Sequence, residues 1–344
     1  MTSVRRLAAW TLGLVVLAAL VVLGVSKIDL GQVGSDLGRV RIGWLAVGFA
    51  LMCVTYLARA ESWFTALSAS LGKGSVSRPF VTRVLLIGMF GSTVAPGRLG
   101  EALRAWLIAR RTGGARQTLA VVVGTLVSQA FLNVLALLIL AAVALGGGAI
   151  PGANTIAIAA IAGVPAVILV TLMLGPKLAA SFASVQRGPL GRLLAWLALR
   201  LGEVSSGLAV FRRLRTTAHS VGSQLFGWTM QTGVCYTVLL AFGLQQRVGI
   251  GTAAAVLFAV NVTAVLPLTP SNVGVFQAAC IGVLAPLGIR ASTGLAYGLV
   301  LQAIEILCAT ALGLPSLLAE GVSFADLRRA SSLREAAAPS EEVL

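Results

Sequence analysis

Arg98 stands inside the apolar stretch Phe80 to Ile108, directly after Pro96 and Gly97, and it is the residue whose placement most demands a chemical explanation. A guanidinium surrounded by apolar sequence needs a counter-charge, a water-filled cavity or a phosphate. Its planar fork matches phosphate oxygens. Glu101, three residues on, is the competing partner, because a pair on one helix face would neutralise both groups. Gly100 completes a Pro-x-x-x-Gly break, and a second break of that pattern, Pro270-Ser271-Asn272-Val273-Gly274, stands about half the chain further on. Proline favours the first position of a helix, and Thr269 before Pro270 is a good N-cap, whereas Ala95 cannot cap. Each break therefore predicts a half-helix whose unpaired backbone N–H groups and positive dipole end suit an anion.

Further polar groups interrupt other apolar runs. Glu305 lies deep in the last run with Gln302 one turn before it, and Arg59 and Glu61 interrupt the second. A carboxylate at that depth calls for Arg98 or Arg59, or else a proton. Gln129 and Asn133 share a helix face at i,i+4 spacing, and Asn261 precedes the second break. An isolated amide in a bundle also serves as interhelical glue. Cys53, Cys235, Cys280 and Cys308 lie in apolar runs without CxxC or Cys/His spacing, and His219, the only histidine, falls in a basic connection, so neither a metal site nor a disulfide framework is expected.

The elements that must position these groups are set by the solvent. With 58% hydrophobic and 11% charged residues and a mean hydropathy of +0.95, the chain lacks the charged shell of a water-soluble protein. A net charge of +15 would suggest nucleic acid in a soluble protein; here the basic residues sit between apolar runs and orient the chain in a bilayer. A spanning helix needs about 20 apolar residues. Leu7 to Val25, Trp44 to Leu67, Leu119 to Leu145, Ile156 to Leu174, Leu225 to Leu244 and Leu295 to Leu318 meet that length, the first read as a retained span rather than a cleaved signal. Phe80 to Ile108 and Ala253 to Leu287 each reverse at a Pro/Gly cluster, with arms too short to cross alone.

If both broken regions are hairpins that return to their own side, residues 1 to 6, 68 to 83, 109 to 117, 175 to 221 and 319 to 344 share one side. These segments hold most of the 26 lysines and arginines. The positive-inside rule then places them, and both termini, in the cytoplasm. A single broken span at either site would spoil the bias. The expected fold is thus an all-α polytopic protein of the cytoplasmic membrane, with six spans and two re-entrant hairpins entering from opposite faces as an inverted repeat. One membrane domain covers residues 1–320, with repeat halves at 40–175 and 222–318 and a basic amphipathic segment at 176–220; residues 321–344 form a tail of disordered composition.

At its two breaks the chain resembles the membrane domain of the lysylphosphatidylglycerol synthase family, flippase-like polytopic membrane proteins. PGRLGEALRAWLI (96–108) and LPLTPSNVGVFQAA (266–279) carry the likeness, and Arg59 with Trp63 is similar to that family's Arg-rich segment. The likeness covers roughly residues 7 to 320. It implies lipid handling: in full-length synthases this domain flips an aminoacylated phospholipid while a separate soluble domain performs the transfer, and other members resemble components of polyprenyl-phosphate sugar pathways. The soluble domain has no counterpart in this sequence, so aminoacyl transfer is not expected. Gln277 stands where the family often has Glu, and Ser128, Gln129 and Asn133 occupy positions where charged residues are common. Those substitutions bear on the substrate and on any proton coupling.

The expected function is a flippase or scramblase for an anionic phospholipid or a polyprenyl-phosphate-linked sugar. Arg98 and the half-helix N–H groups would hold the phosphate, Ser271 and Asn272 would assist from the second break, and Glu101 or Glu305 would supply counter-charge. Membrane lipids are the expected partners, with no cofactor, metal or nucleic acid. A membrane-embedded transferase and a non-transporting partner of envelope-building enzymes are the alternatives; the first lacks a paired Asp/Glu cluster to act as base or metal ligand.

Overall fold

The computed structural model describes residues 29–94, 99–113, 116–146, 208–264 and 272–321, excepting the side chains of 94, 99, 116 and 117. The expected spans Leu7 to Val25 and Ile156 to Leu174, most of the basic segment 176–220 and the tail lie outside the described residues. Within them every regular element is helical: α1 Leu30–Gly38, α2 Ile42–Leu71, α3 Arg78–Val94, α4 Leu99–Arg111, α5 Arg116–Gly146, α6 Leu214–Ala241, α7 Ile250–Ala264, α8 Val275–Leu284 and α9 Ala291–Ala319.

Three of these, α2, α5 and α9, are long and apolar enough to cross a membrane, and they contain the spans expected at Trp44 to Leu67, Leu119 to Leu145 and Leu295 to Leu318. α6 is 28 residues long but polar in its buried face, where Ser220, Gln224, Gln231 and Thr232 point inward. It also starts earlier than the sequence pattern indicates. The residues after Arg213 are helix rather than interfacial connection, which places His219 on α6 and not in a loop.

Small residues set the helix contacts, as expected where lipid removes the hydrophobic drive between helices. α2 and α6 run antiparallel at close range: the Arg41 N–H reaches the Ala241 carbonyl at 3.1 Å, Thr55 Oγ1 the Gly227 carbonyl at 3.3 Å, and Ser62 Oγ lies 3.0 Å from Ser220 Oγ. α3 and α4 fold back on each other with Gly88 and Gly91 against Gly100. A Cβ on Gly100 would run into the Gly88 carbonyl oxygen and Ser92 Oγ, so the two backbones touch here and only glycine fits. α9 is seated on α3 at Gly313, where a Cβ would stand 2.5 Å from Phe90 Cβ, and on α8 at Gly294 and Gly298.

The polar contacts identify the two ends of the bundle. At one end Arg83 Nε binds Glu320 Oε1 at 2.5 Å, and Arg78 reaches Glu61 at 3.2 Å. At the other, Thr293 donates to Asp36 at 2.7 Å and Arg247 to the Gly288 carbonyl at 3.3 Å. The α3–α4 hairpin opens toward the first end. The α7–α8 hairpin, whose outer ends Arg247 and Gly288 join, opens toward the second. The surface is apolar, with Val47, Val54, Leu57, Val123, Ile139, Val143, Leu299 and Leu307 exposed, whereas Gln129, Gln224, Gln231, Gln277 and Gln302 are buried. Amides inside and aliphatic groups outside suit a protein whose solvent is lipid.

Candidate functional site

α9 serves as the ruler for depth. Phe90, near the inner end of α3, packs at Gly313, and Gln277, in the first turn of α8, packs at Gly298 and Gln302. Along α9 the two contacts lie on either side of Glu305, the α3 contact at Gly313 and the α8 contacts at Gly298 and Gln302. Pro96, Gly97, Arg98, Thr269, Pro270 and Ser271 lie outside the described residues. What is described flanks them.

The second break differs from its sequence expectation. α8 begins at Val275, not at Pro270, and its N-cap is Gly274 rather than Thr269. The cause is local backbone geometry: Asn272 has φ +55° and Gly274 φ +87°, both left-handed values that interrupt a right-handed helix. Gln277 turns back to accept the Gly274 N–H on Oε1 at 2.7 Å, and gives its Nε2 to Gln302 Oε1 at 2.6 Å. Gln277 thus caps its own helix and ties it to α9.

Glu305 finds the partner that its depth demands through an intermediary. Gln231 of α6 donates Nε2 to Glu305 Oε1 at 3.2 Å and accepts Arg59 Nη2 on Oε1 at 2.5 Å. One amide bridges a cation and a carboxylate from two other helices. Tyr56 adds a longer bond to the Glu305 carbonyl at 3.4 Å. Nearby, the Cys53 and Cys308 thiols touch at 3.5 Å across α2 and α9. Glu61 is not part of this group, since it pairs with Arg78 and with His219 at 3.0 Å. Asn261 donates to the Leu257 carbonyl of its own helix at 2.8 Å.

Arg59 also faces a cavity of about 390 Å³ bounded by α2, α3, α4, α5 and α6. Glu101 and Arg104 of α4, Gln129 and Asn133 of α5, and Gln224 of α6 share its wall. The guanidinium of Arg59 stacks 5.2 Å from the Trp228 ring centre and that of Arg104 5.3 Å from Trp63, so each cation has an aromatic floor. Trp228 Nε1 and Gln224 Nε2 converge on Asn133 Oδ1 at 3.1 and 2.6 Å. Among the described residues no carboxylate lies within ion-pair distance of Arg59 or Arg104.

The structure thus joins Arg59 and Glu305 in a relay, places Glu101 at the cavity with Gln129 and Asn133, and commits Gln277 and Gly274 to the α8 cap. Sequence reasoning passed over Arg104, Gln224, Gln231 and Trp228. Gln224 and Gln231 do carry a signal, being seven residues apart and hence on one face of a 28-residue helix. A second, open cavity of about 790 Å³ at the Arg78 end is walled by Lys73, Arg78, Arg212, Arg213, Arg215 and His219.

Comparison with known proteins gives one family. A family model described as the lysylphosphatidylglycerol synthase TM region matches residues 10–313. No curated protein matches the chain.

Proposed function

We take as premise that the chain belongs to the lysylphosphatidylglycerol synthase TM-region family, and propose that this multi-pass membrane protein moves an anionic lipid head group across the cytoplasmic membrane as a flippase or scramblase. The observation that carries this reading is the polar cavity at Arg59 and Arg104, inside a bundle whose outer surface is aliphatic. A head group crossing a bilayer needs water-like partners along its path while its chains stay in lipid, and this arrangement supplies both. In this reading the two hairpins act as an inverted repeat, approaching Glu305 of α9 from opposite sides. Arg98, with Ser271 and Asn272, is proposed to bind the same head group. The Arg78 end faces the cytoplasm, where its arginines and Lys73 meet anionic lipid. The protein works as a carrier rather than an enzyme.

The test is reconstitution in vesicles with fluorescent phosphatidylglycerol and a membrane-impermeant quencher. Faster loss of inner-leaflet fluorescence than in empty vesicles is expected, and Arg59→Gln slows it about tenfold, in line with losing one charge-assisted hydrogen bond. Protein-containing vesicles that exchange lipid no faster than empty ones would sink the proposal.

A further inference from the structure

The relay from Arg59 through Gln231 to Glu305 is closed in the middle and open at both ends. Gln231 uses both ends of its amide: Oε1 accepts from Arg59 Nη2, and Nε2 donates to Glu305 Oε1. Chemistry fixes that orientation, because a guanidinium can only donate and so must meet the amide oxygen. At one end, Arg59 Nη1 has no hydrogen bond among the described residues and is not a buried atom, and Arg59 is part of the cavity wall. At the other end, Glu305 Oε2 likewise has no hydrogen bond and is not buried. Glu305 sits where α9 changes face, with Leu301, Ile304 and Cys308 buried and Ile306 and Leu307 exposed.

A carboxylate with one oxygen open in the middle of a membrane bundle is tolerated in two ways, by a counter-charge or by a proton. The counter-charge reaches Glu305 only through a neutral amide, since among the described residues no lysine or arginine lies within ion-pair distance of it. Besides Arg59, the titratable groups around it are phenols and thiols, none of them a cation: Tyr56 of α2, Cys235 of α6, Cys280 of α8, and Tyr297 and Cys308 of α9. The charged groups that α3 and α1 bring to α9 stand at its two ends, where Arg83 meets Glu320 and Asp36 meets Thr293. An anion drawn to Arg59 from the cavity takes the guanidinium as its own counter-charge and leaves Glu305 with none. A proton on Oε2 then restores neutrality. Gln231 need not move, because Nε2 donates to Oε1 in either state.

We propose that the protein also moves protons: each anionic head group held at Arg59 brings one proton onto Glu305 Oε2, and the two cross together. An O–H bond forms on Oε2 with a proton from water on one side, and the same bond breaks to water on the other. With a singly charged lipid no net charge crosses. The inference rests on the carrier reading and supplies its driving force. In the test, full-length protein is reconstituted with fluorescent phosphatidylglycerol and a pH step is imposed across the vesicle wall. An impermeant quencher then reads the share of lipid in each leaflet, against empty vesicles. With one proton per lipid, a step of one pH unit is expected to drive about a tenfold leaflet ratio, with lipid gathering on the alkaline side. An uncoupler removes the ratio, and a potassium diffusion potential does not create one. Glu305→Gln keeps an amide oxygen for Gln231 but cannot take a proton, so it shows no pH-driven ratio. In detergent, dihexanoyl phosphatidylglycerol is expected to raise a protonated-carboxyl infrared band that is missing in Glu305→Gln.

Lipid that moves faster than in empty vesicles but ignores the pH step, or follows the electrical potential instead, overturns the proton coupling and leaves the carrier standing. A pH-driven ratio unchanged in Glu305→Gln overturns the assignment to that residue, as does a carboxyl band that persists there. Lipid that moves no faster than in empty vesicles removes the carrier, and the coupling with it. The wild-type responses to pH and potential need no variant, so a misfolded substitution leaves the decision intact.

Discussion

Gln231 is the residue on which the polar interior turns, because among the described residues it joins Arg59 to Glu305. Replacing it by Leu leaves a cation and a carboxylate unpaired in the bundle. Each such loss costs about 1–3 kcal/mol, more for charged groups. Gln231→Leu should therefore lower the thermal midpoint in detergent markedly, and the double variant Arg59→Leu/Gln231→Leu should be less damaging than the sum of its parts, which a double-mutant cycle measures. The Arg59 and Glu305 pairing was legible in sequence as a requirement, since each at its depth calls for a partner. Gln231 was not, because an amide in an apolar run has no sequence signature that separates a bridge from ordinary glue. Arg104 was hidden for a related reason: its position near a charged helix end reads as topology, and only folding α4 onto α3 brings it over Trp63.

The helices show how hydropathy and geometry divide the work. α2, α5 and α9 were readable because long apolar windows admit one interpretation in a membrane chain. α6 was misplaced at its start, since basic residues there follow the interfacial pattern while Thr216 and Thr217 bond back to the Val210 carbonyl at 3.0 and 2.9 Å and anchor a helix already under way. α8 was misplaced because its cap is supplied by Gln277 from within, a geometry that proline and threonine at the break do not announce. The α3–α4 contact is the sharpest test at this scale. Gly100→Ala puts a methyl against the Gly88 carbonyl oxygen, and overpacking of that kind costs about 1–3 kcal/mol. Reduced yield of monodisperse protein and a lower midpoint are expected, whereas Gly282→Ala, with open space around it, should leave both unchanged.

Among the described residues, charge and polarity are sorted in three directions: aliphatic groups outward, amides inward, and a larger share of the guanidinium groups at the Arg78 end than at the Arg247 end. The sorting predicts topology. A cysteine introduced at Lys73 should react with an impermeant maleimide only in inside-out vesicles, and one at Arg247 only in right-side-out vesicles; the reverse pattern would invert the bundle. The membrane class and the family were plain in composition and in the two breaks. The polar cavity was not, because five helices build it and its polar residues come from four helices far apart in sequence.

The thiol contact between Cys53 and Cys308 gives this arrangement a built-in clamp. Covalently bridged by a short bifunctional reagent, these two residues, 255 positions apart in sequence, would be held at fixed separation without any introduced mutation. A carrier that rocks α2 against α9 during its cycle would stall with its binding affinity intact. One that passes the head group through the polar cavity without moving those helices would keep running, so a reagent a few atoms long distinguishes a hinge from a fixed passage.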